Sequence, residues 1–218
     1  MLEEFKRIGR FLFQEGLVDS HGGNMSMRQG EMIYITRKDA MLGDLREGDI
    51  VEVKMSAGEN DGKASRELPT HRAIYAKGDA PAIIHAHGAN TIAISLTDNK
   101  IVPQDTEGLY LYKAAAIVRV REGAGFDENA RLLPTFISAE SRIAVLRGHG
   151  SFAIGESLEE AYKLTSSLEN SCKVIVAVRS SSPAAAPRPF IKKEKDVRRT
   201  GIPPGIGVMD RGRYFRNK

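Results

Sequence analysis

The sequence is short of the residues that usually build disulfides and structural metal sites. Its 218 residues include one cysteine, Cys172, and no tryptophan. A single cysteine excludes an intrachain disulfide and a cysteine-built zinc site, and it fits a reducing compartment. No apolar run approaches the roughly 18 residues that span a bilayer, and the first residues lack the basic and then apolar pattern of a secretory signal. We therefore expect a soluble, cytoplasmic protein that does not bind membranes.

The charge of the chain is concentrated near its C-terminus. The net charge is +4, but residues 188–218 carry ten Lys or Arg against three Asp or Glu. Such a basic segment can attract nucleic acid or a membrane surface. Apolar residues such as Phe190 and Phe215 are interleaved with the charges, which favours packing on the fold or on a neighbouring subunit. We predict one domain at 1–180 and a linker with a basic tail at 181–218.

Hydrophobic periodicity predicts alternating helices and strands. The predicted helices are 2–16, 69–77, 90–96, 127–139 and 157–179, and the predicted strands are 32–36, 49–53, 82–87, 116–121, 143–146 and 152–154. Residues 22–24 are predicted to form a loop. Alternation with mixed connections indicates a layered α/β sandwich around a mixed sheet.

Three of the five histidines lie in two short motifs. His85 and His87 are two apart on a predicted strand, so their rings lie on one face, and His149 is flanked by glycines that let the backbone close on a ligand. Three imidazoles with a free fourth position form the usual catalytic zinc site. An H-x-H pair alone is a weak signal, since both rings can instead be satisfied by local hydrogen bonds.

Glu67 precedes the predicted helix that leads into the histidine strand. A carboxylate there can act as a general base beside a metal, or can simply favour the N-terminal end of the helix dipole. His71 follows on the same helix and is expected to support the site or the core. The Gly22-Gly23-Asn24 segment can present amide groups to an anion, or it can be an ordinary turn.

Taken together and in order, these motifs resemble the class II aldolase and adducin-head family over about residues 2–180. They are Gly23-Asn24-x-Ser26, Ile35-Thr36, Ser65-x-Glu67-x-x-x-His71, His85-x-His87 and Gly148-His149-Gly150. The resemblance implies a three-layer α/β/α sandwich around a mixed, largely antiparallel sheet. It also implies a homotetramer with active sites at subunit interfaces.

The same resemblance implies a chemistry. His85, His87 and His149 look like the ligands of one Zn²⁺ per subunit, and Glu67 looks like the catalytic acid/base. The implied reaction cleaves a ketose 1-phosphate, such as L-fuculose 1-phosphate, through a metal-bound enediolate. The products are dihydroxyacetone phosphate and a small aldehyde such as lactaldehyde.

The chain departs from the family pattern at the expected phosphate site. His21, Lys38 and Arg66 stand where the aldolases have hydroxyl residues, although Arg and Lys also bind phosphate. The substrate-binding set predicted from the resemblance is Asn24, Ser26, Lys38, Ser65 and Arg66. Either the basic side chains hold the phosphate, or the substrate carries another anion such as a carboxylate.

The family's tyrosine, which protonates the leaving group, also has no obvious counterpart. Tyr110 and Tyr112 are displaced from its usual position, and Tyr214 in the basic tail is the candidate replacement. A related dehydratase, epimerase or decarboxylase, or a non-catalytic adducin-like binding module, remain the alternatives. Glu67 favours an aldolase over an epimerase, because the epimerases typically have aspartate there.

Overall fold

The computed structural model describes residues 1–121 and 125–181. The helices are α1 (Leu2–Gln14), α2 (Leu68–Lys77), α3 (Ala89–Thr97), α4 (Thr106–Leu111), α5 (Phe126–Leu132) and α6 (Leu158–Ser181). The strands are β1 (Asn24–Gln29), β2 (Met32–Thr36), β3 (Ile50–Lys54), β4 (Ala82–Ala86), β5 (Lys100–Ile101), β6 (Ala115–Val118), β7 (Ile143–Leu146) and β8 (Gly150–Gly155). Within those two ranges, no helix combines the length and apolar character needed to cross a membrane.

The strands form one eight-stranded sheet in the order β3-β2-β1-β4-β8-β7-β6-β5. Neighbours pair antiparallel except β6 and β7, which pair parallel. In the central part, His85 of β4 lies opposite Asn24 of β1 on one side and opposite Phe152 of β8 on the other. This register places β1, β4 and β8, which are distant in sequence, side by side.

Helices cover both faces of the sheet, so the sheet is the middle of three layers. On one face, α1 and α6 pack through residues such as Phe5 and Leu168. On the other face, α2 packs through Leu68 and Ile74 beside α5. A strand covered on both faces needs no polar side, which explains why all of β4 is buried.

The predicted α/β sandwich is confirmed, and the predicted strands at 32–36 and 143–146 match β2 and β7. The loop predicted at 22–24 is wrong at its end, because Asn24 begins β1. Strand β1 was missed since its buried positions include Asn24 and Ser26, which hide the apolar alternation. The predicted linker and tail at 181–218 begin at Ser181, which is the last residue of α6, and from 182 onward they lie outside the described residues.

Candidate metal centre

The end of strand β4 and the turn between β7 and β8 bring the three histidines together. His85 is the fourth residue of β4, and His87 follows the strand, where its backbone N–H donates to the Leu17 carbonyl at 2.7 Å. His149 lies in the tight β7–β8 turn, and its N–H donates to the Leu146 carbonyl at 3.0 Å. One ring nitrogen from each histidine lies within 4.8 Å of the other two.

The surroundings of His85 fix which nitrogen it offers. Its Nδ1 lies 2.9 Å from the Ser151 carbonyl, which only accepts, so Nδ1 carries the proton. The Nε2 lone pair of the neutral ring then faces the His87 Nε2 at 2.9 Å. Phe152 stacks on His85 at 4.0 Å between ring centroids and holds the plane of the ring. Converging imidazole nitrogens of this kind fit a cation held between them.

Burial keeps these imidazoles neutral, which is the form that binds metal. Burial, followed by the neighbouring His87 and His149, lowers the pKa of His85 well below its ordinary value. Burial also lowers the pKa of His87, and it lowers that of His149 to about 4. The three rings are therefore ready as neutral ligands at neutral pH.

A glycine is required where β8 begins beside His87. Gly150 has φ +158°, and a Cβ there would lie 2.2 Å from the Ala86 carbonyl oxygen and 2.9 Å from His87 Cδ2. No side chain fits between β8 and β4 at this point. The glycine after His149 thus brings the turn close to the other two histidines, as the sequence predicts.

Glu67 directly precedes α2 and points its carboxylate towards the histidines. The residue is 3% exposed, and Oε2 accepts from the Thr70 hydroxyl at 2.7 Å. The other oxygen, Oε1, is buried without a hydrogen-bond partner among the described residues and lies 3.9 Å from His149 Nε2. Burial raises the pKa of Glu67. A carboxyl group in this state can hold and release a proton next to the histidine cluster.

A cavity of about 150 Å³ opens over the histidines and Glu67. Its rim is basic: Arg37, Lys38 and Arg66 line it together with His21. The Arg66 guanidinium lies 3.3 Å from the Asp39 carboxylate, and both side chains are more than half exposed. Lys38 and Arg66 therefore stand at the cavity, where the sequence predicts an anion-binding role.

Two further predicted substrate residues also line this cavity. Asn24 is 5% exposed, and its Oδ1 is buried without a hydrogen-bond partner in the described part of the chain. The Ser65 hydroxyl accepts the Glu67 backbone N–H at 3.2 Å. Asn24 thus offers a free polar atom to a ligand, whereas Ser65 also shapes the backbone at Glu67.

Ser26 is not among the residues that line the cavity, and its predicted contact with the substrate stays a prediction. Ser26 is fully buried, and its hydroxyl lies 2.7 Å from both His71 Nδ1 and the Tyr75 hydroxyl. Ser26 shares a face of β1 with Asn24, because strand residues two apart do. At Ser26, however, His71 and Tyr75 of α2 cover that face. His71 is itself fully buried and packs edge-on against Phe152 at 6.0 Å between centroids. Ser26 therefore supports the site indirectly, by holding His71 and Tyr75 of α2 against β1.

No tyrosine of the described residues lines the cavity. Tyr110 is 81% exposed, Tyr112 is buried elsewhere, and the predicted candidate Tyr214 lies outside the described residues. Sequence reasoning also missed Glu169, a buried carboxylate of α6 that hydrogen-bonds the start of α3. Its position between the inward-facing Thr165 and Cys172 was the available signal.

Known proteins show the family to which the chain is similar. The model of the family described as Class II Aldolase and Adducin N-terminal domain matches residues 3–176. An L-fuculose phosphate aldolase of Methanocaldococcus jannaschii is 30% identical over 173 residues, covering 79% of this chain and 93% of that protein.

A solved structure and a relative of different activity extend the comparison. The L-fuculose-1-phosphate aldolase of Thermus thermophilus superposes with a TM-score of 0.76 at 30% identity, covering 86% of this chain and 98% of that one. A methylthioribulose-1-phosphate dehydratase of Acidiphilium cryptum is 29% identical over 189 residues, covering 76% of this chain and 85% of that protein. The scaffold therefore occurs with more than one reaction.

Proposed function

The chain belongs to the class II aldolase and adducin family, and from that premise we propose that it is a zinc-dependent aldolase of a ketose 1-phosphate. The observation that carries the proposal is Glu67 Oε1, which is buried without a hydrogen-bond partner among the described residues and lies 3.9 Å from His149 Nε2 in a cluster of three neutral imidazoles. A binding module needs no buried carboxylate with one oxygen left unpaired, which is costly to keep. A metal-assisted proton transfer needs one.

His85, His87 and His149 would hold the metal, and the donor set of three imidazoles suits zinc. When bound, zinc acts as a Lewis acid for the negative charge that develops on the carbonyl and hydroxyl oxygens of the substrate. His85 keeps its orientation through Ser151 and Phe152. The rings supply neutral ligands without first losing a proton.

Glu67 moves the proton of the reaction. In cleavage, the C4 hydroxyl gives its proton to a base, proposed to come from a neighbouring subunit, as the C4 carbonyl forms, and the electron pair of the C3–C4 bond passes to C3. Carbon C3 then takes a proton, and Glu67 Oε1 is the buried group placed to deliver it. The raised pKa of Glu67 suits this role, because a catalytic acid/base works best when its pKa is near the operating pH.

Lys38 and Arg66 are proposed to hold the phosphate at the basic rim, with Asn24 beside them. The proposed substrate is L-fuculose 1-phosphate or a close analogue, a choice supported by the aldolase relatives. Arg66→Gln should raise the KM for a phosphorylated ketose at least tenfold while kcat changes little, because a charged hydrogen bond to phosphate is lost. An unchanged KM would assign the phosphate to other residues.

The decisive experiment supplies zinc-loaded protein with L-fuculose 1-phosphate and couples dihydroxyacetone phosphate to its NADH-dependent reductase. We expect NADH consumption that disappears on chelation and returns with zinc. The matched control is Glu67→Gln protein at the same zinc content. Absence of any zinc-dependent product would contradict the aldolase proposal.

The second candidate is a dehydratase, supported by the similarity to the methylthioribulose-1-phosphate enzyme. The same protein is then incubated with methylthioribulose 1-phosphate, and loss of water is followed by mass spectrometry. Turnover of this substrate without dihydroxyacetone phosphate from the first would select the dehydratase. A non-catalytic module would show neither product and would purify with far less than one zinc per chain.

We also propose that the chain forms a homotetramer with active sites at subunit interfaces, as the family resemblance implies. An interface would enclose the open side of the small cavity and bring in the group that accepts the C4 hydroxyl proton in cleavage, since no tyrosine of the described residues lines the cavity. Light scattering should give the mass of four chains. A stable, active monomer would contradict this assembly.

A further inference from the structure

Helix α6 carries a buried carboxylate that the proposed reaction does not use. Glu169 is 3% exposed, and its two oxygens accept four hydrogen bonds from the start of α3. Oε1 accepts from the Asn90 backbone N–H at 3.0 Å and from its side-chain amide at 2.7 Å. Oε2 accepts from the Thr91 N–H at 2.9 Å and from its hydroxyl at 2.8 Å.

These bonds make Glu169 the cap of α3. The first N–H groups of a helix have no partner within the helix, and the N-terminal end of its dipole favours a negative charge. Gly88 at the cap position has no side chain to supply one. The cap instead comes from a different helix, which ties α6 to the turn after β4.

This turn contains a proposed metal ligand. His87 directly precedes Gly88, so the capped segment begins one residue after the histidine. A Cβ on Gly88 would lie 2.4 Å from Glu169 Oε2, which shows how closely the carboxylate approaches the turn. The other side of His87 is held by its backbone bond to Leu17.

We propose that Glu169 is a positioning residue for the metal centre: by capping α3 from α6, it fixes the backbone that presents the His87 imidazole. This inference rests on the metal site of the proposed function, but not on the identity of the substrate. Burial of a carboxylate is costly, and four donors at hydrogen-bond distance offset that cost here. A purely structural cap would stabilise the fold and leave metal affinity unchanged.

The test separates metal affinity from stability in the full chain. Glu169→Ala, Thr91→Val and Leu168→Ala proteins are compared with the unsubstituted protein. Leu168 is the fully buried neighbour of Glu169 in α6, so Leu168→Ala is a control that weakens packing without removing the cap. Zinc Kd is measured by competition with a chromophoric chelator, Co²⁺ absorption spectra report ligand geometry, and thermal unfolding is followed without metal.

Glu169→Ala should raise the zinc Kd by on the order of 10-fold and alter the Co²⁺ spectrum, as expected when a group that orients a ligand is removed. Thr91→Val removes one donor and should cause a smaller change in the same direction. Leu168→Ala should lower the unfolding temperature with the Kd unchanged.

The proposal is overturned if Glu169→Ala and Thr91→Val keep the zinc Kd and Co²⁺ spectrum of the unsubstituted protein, whatever happens to stability. It is equally overturned if Leu168→Ala weakens zinc as much as Glu169→Ala does, since the effect would then follow stability alone. Failure of the proposed metal site is recognised separately, because the unsubstituted protein itself would then bind no zinc.

Discussion

At the scale of single residues, one physical cause prepares both halves of the proposed reaction centre. Burial disfavours charge, so it lowers the pKa of the imidazoles and raises that of the carboxyl group. His85 and His149 become neutral imidazoles suited to the proposed metal, whereas Glu67 becomes better able to hold a proton. The same dry environment that suits metal binding therefore also tunes the acid/base.

Glu67→Gln should keep zinc and lose turnover by about 10²- to 10⁴-fold, because the amide fills the same space but transfers no proton. Metal analysis and the coupled assay measure the two effects on one sample. Thr70→Val is the control, since it removes only the bond to Oε2 and should reduce turnover far less. Equal losses in both variants would argue against proton transfer by Glu67.

His149→Ala should lose both zinc and turnover, because it removes one of three ligand nitrogens. Zinc per chain after dialysis is the measurement. His21→Ala is the matched control, since His21 lines the same cavity but is not one of the clustered ligands. Full zinc content in His149→Ala protein would contradict the three-histidine site.

At the scale of elements, the sequence predicts those parts whose pattern reflects only local packing. The apolar run from Ala82 to Ala86 and the capped start of α6 were recognisable, because burial and hydrogen bonding there follow simple periodicity. Strand β1 was not, since Ser26 is buried only because His71 and Tyr75 of α2 bond to its hydroxyl. Partners that are distant in sequence decide such positions.

The site residues also divide into those that a local sequence motif reveals and those that depend on partners distant in sequence. The histidines and Glu67 could be identified from ordered motifs, and the structure gathers them around one cavity. The roles of Glu169 and Phe152 could not, because each depends on a register between separate elements. Phe152 stacks on His85 only because β4 and β8 pair with these two residues opposite each other.

Gly150→Ala should destabilise the protein by roughly 2–4 kcal/mol and weaken zinc binding, because the new Cβ would push β8 away from β4. Urea unfolding and zinc titration are the measurements. Gly30→Ala is the control: it also has a positive φ of 58°, but nothing surrounds its Cβ position. It should cost only about 1 kcal/mol and leave zinc affinity unchanged. Comparable zinc loss in both would exclude the steric explanation.

At the scale of the whole molecule, acid should unfold the metal-free protein through its buried histidines. Burial lowers the pKa of His71 from 6.5 to about 3. Between these values the unfolded chain binds a proton that the folded protein refuses, so stability falls as the pH falls through this window. Above pH 6.5 the contribution is constant.

Replacing His71 isolates this contribution. From about pH 6.5 to 5, the unsubstituted protein should lose about 1.6 kcal/mol more unfolding free energy than His71→Gln, because the slope rises from half of about 1.4 kcal/mol per pH unit at the unfolded pKa towards the full value below it. Urea unfolding in the presence of a chelator measures the difference at each pH. The comparison cancels the other buried groups, including Glu67, whose raised pKa acts in the opposite direction. Identical pH slopes would show that His71 is not held neutral.

The antiparallel register around β4 also determines when the proposed metal could first bind during refolding. His85 and His87 are neighbours in any conformation, but His149 reaches them only once β8 has paired with β4. In the unfolded chain, at most two of the three histidines are therefore close together, and the unfolded chain binds zinc weakly. Metal capture would report completion of the central sheet, and bound zinc would then stabilise the finished fold by mass action.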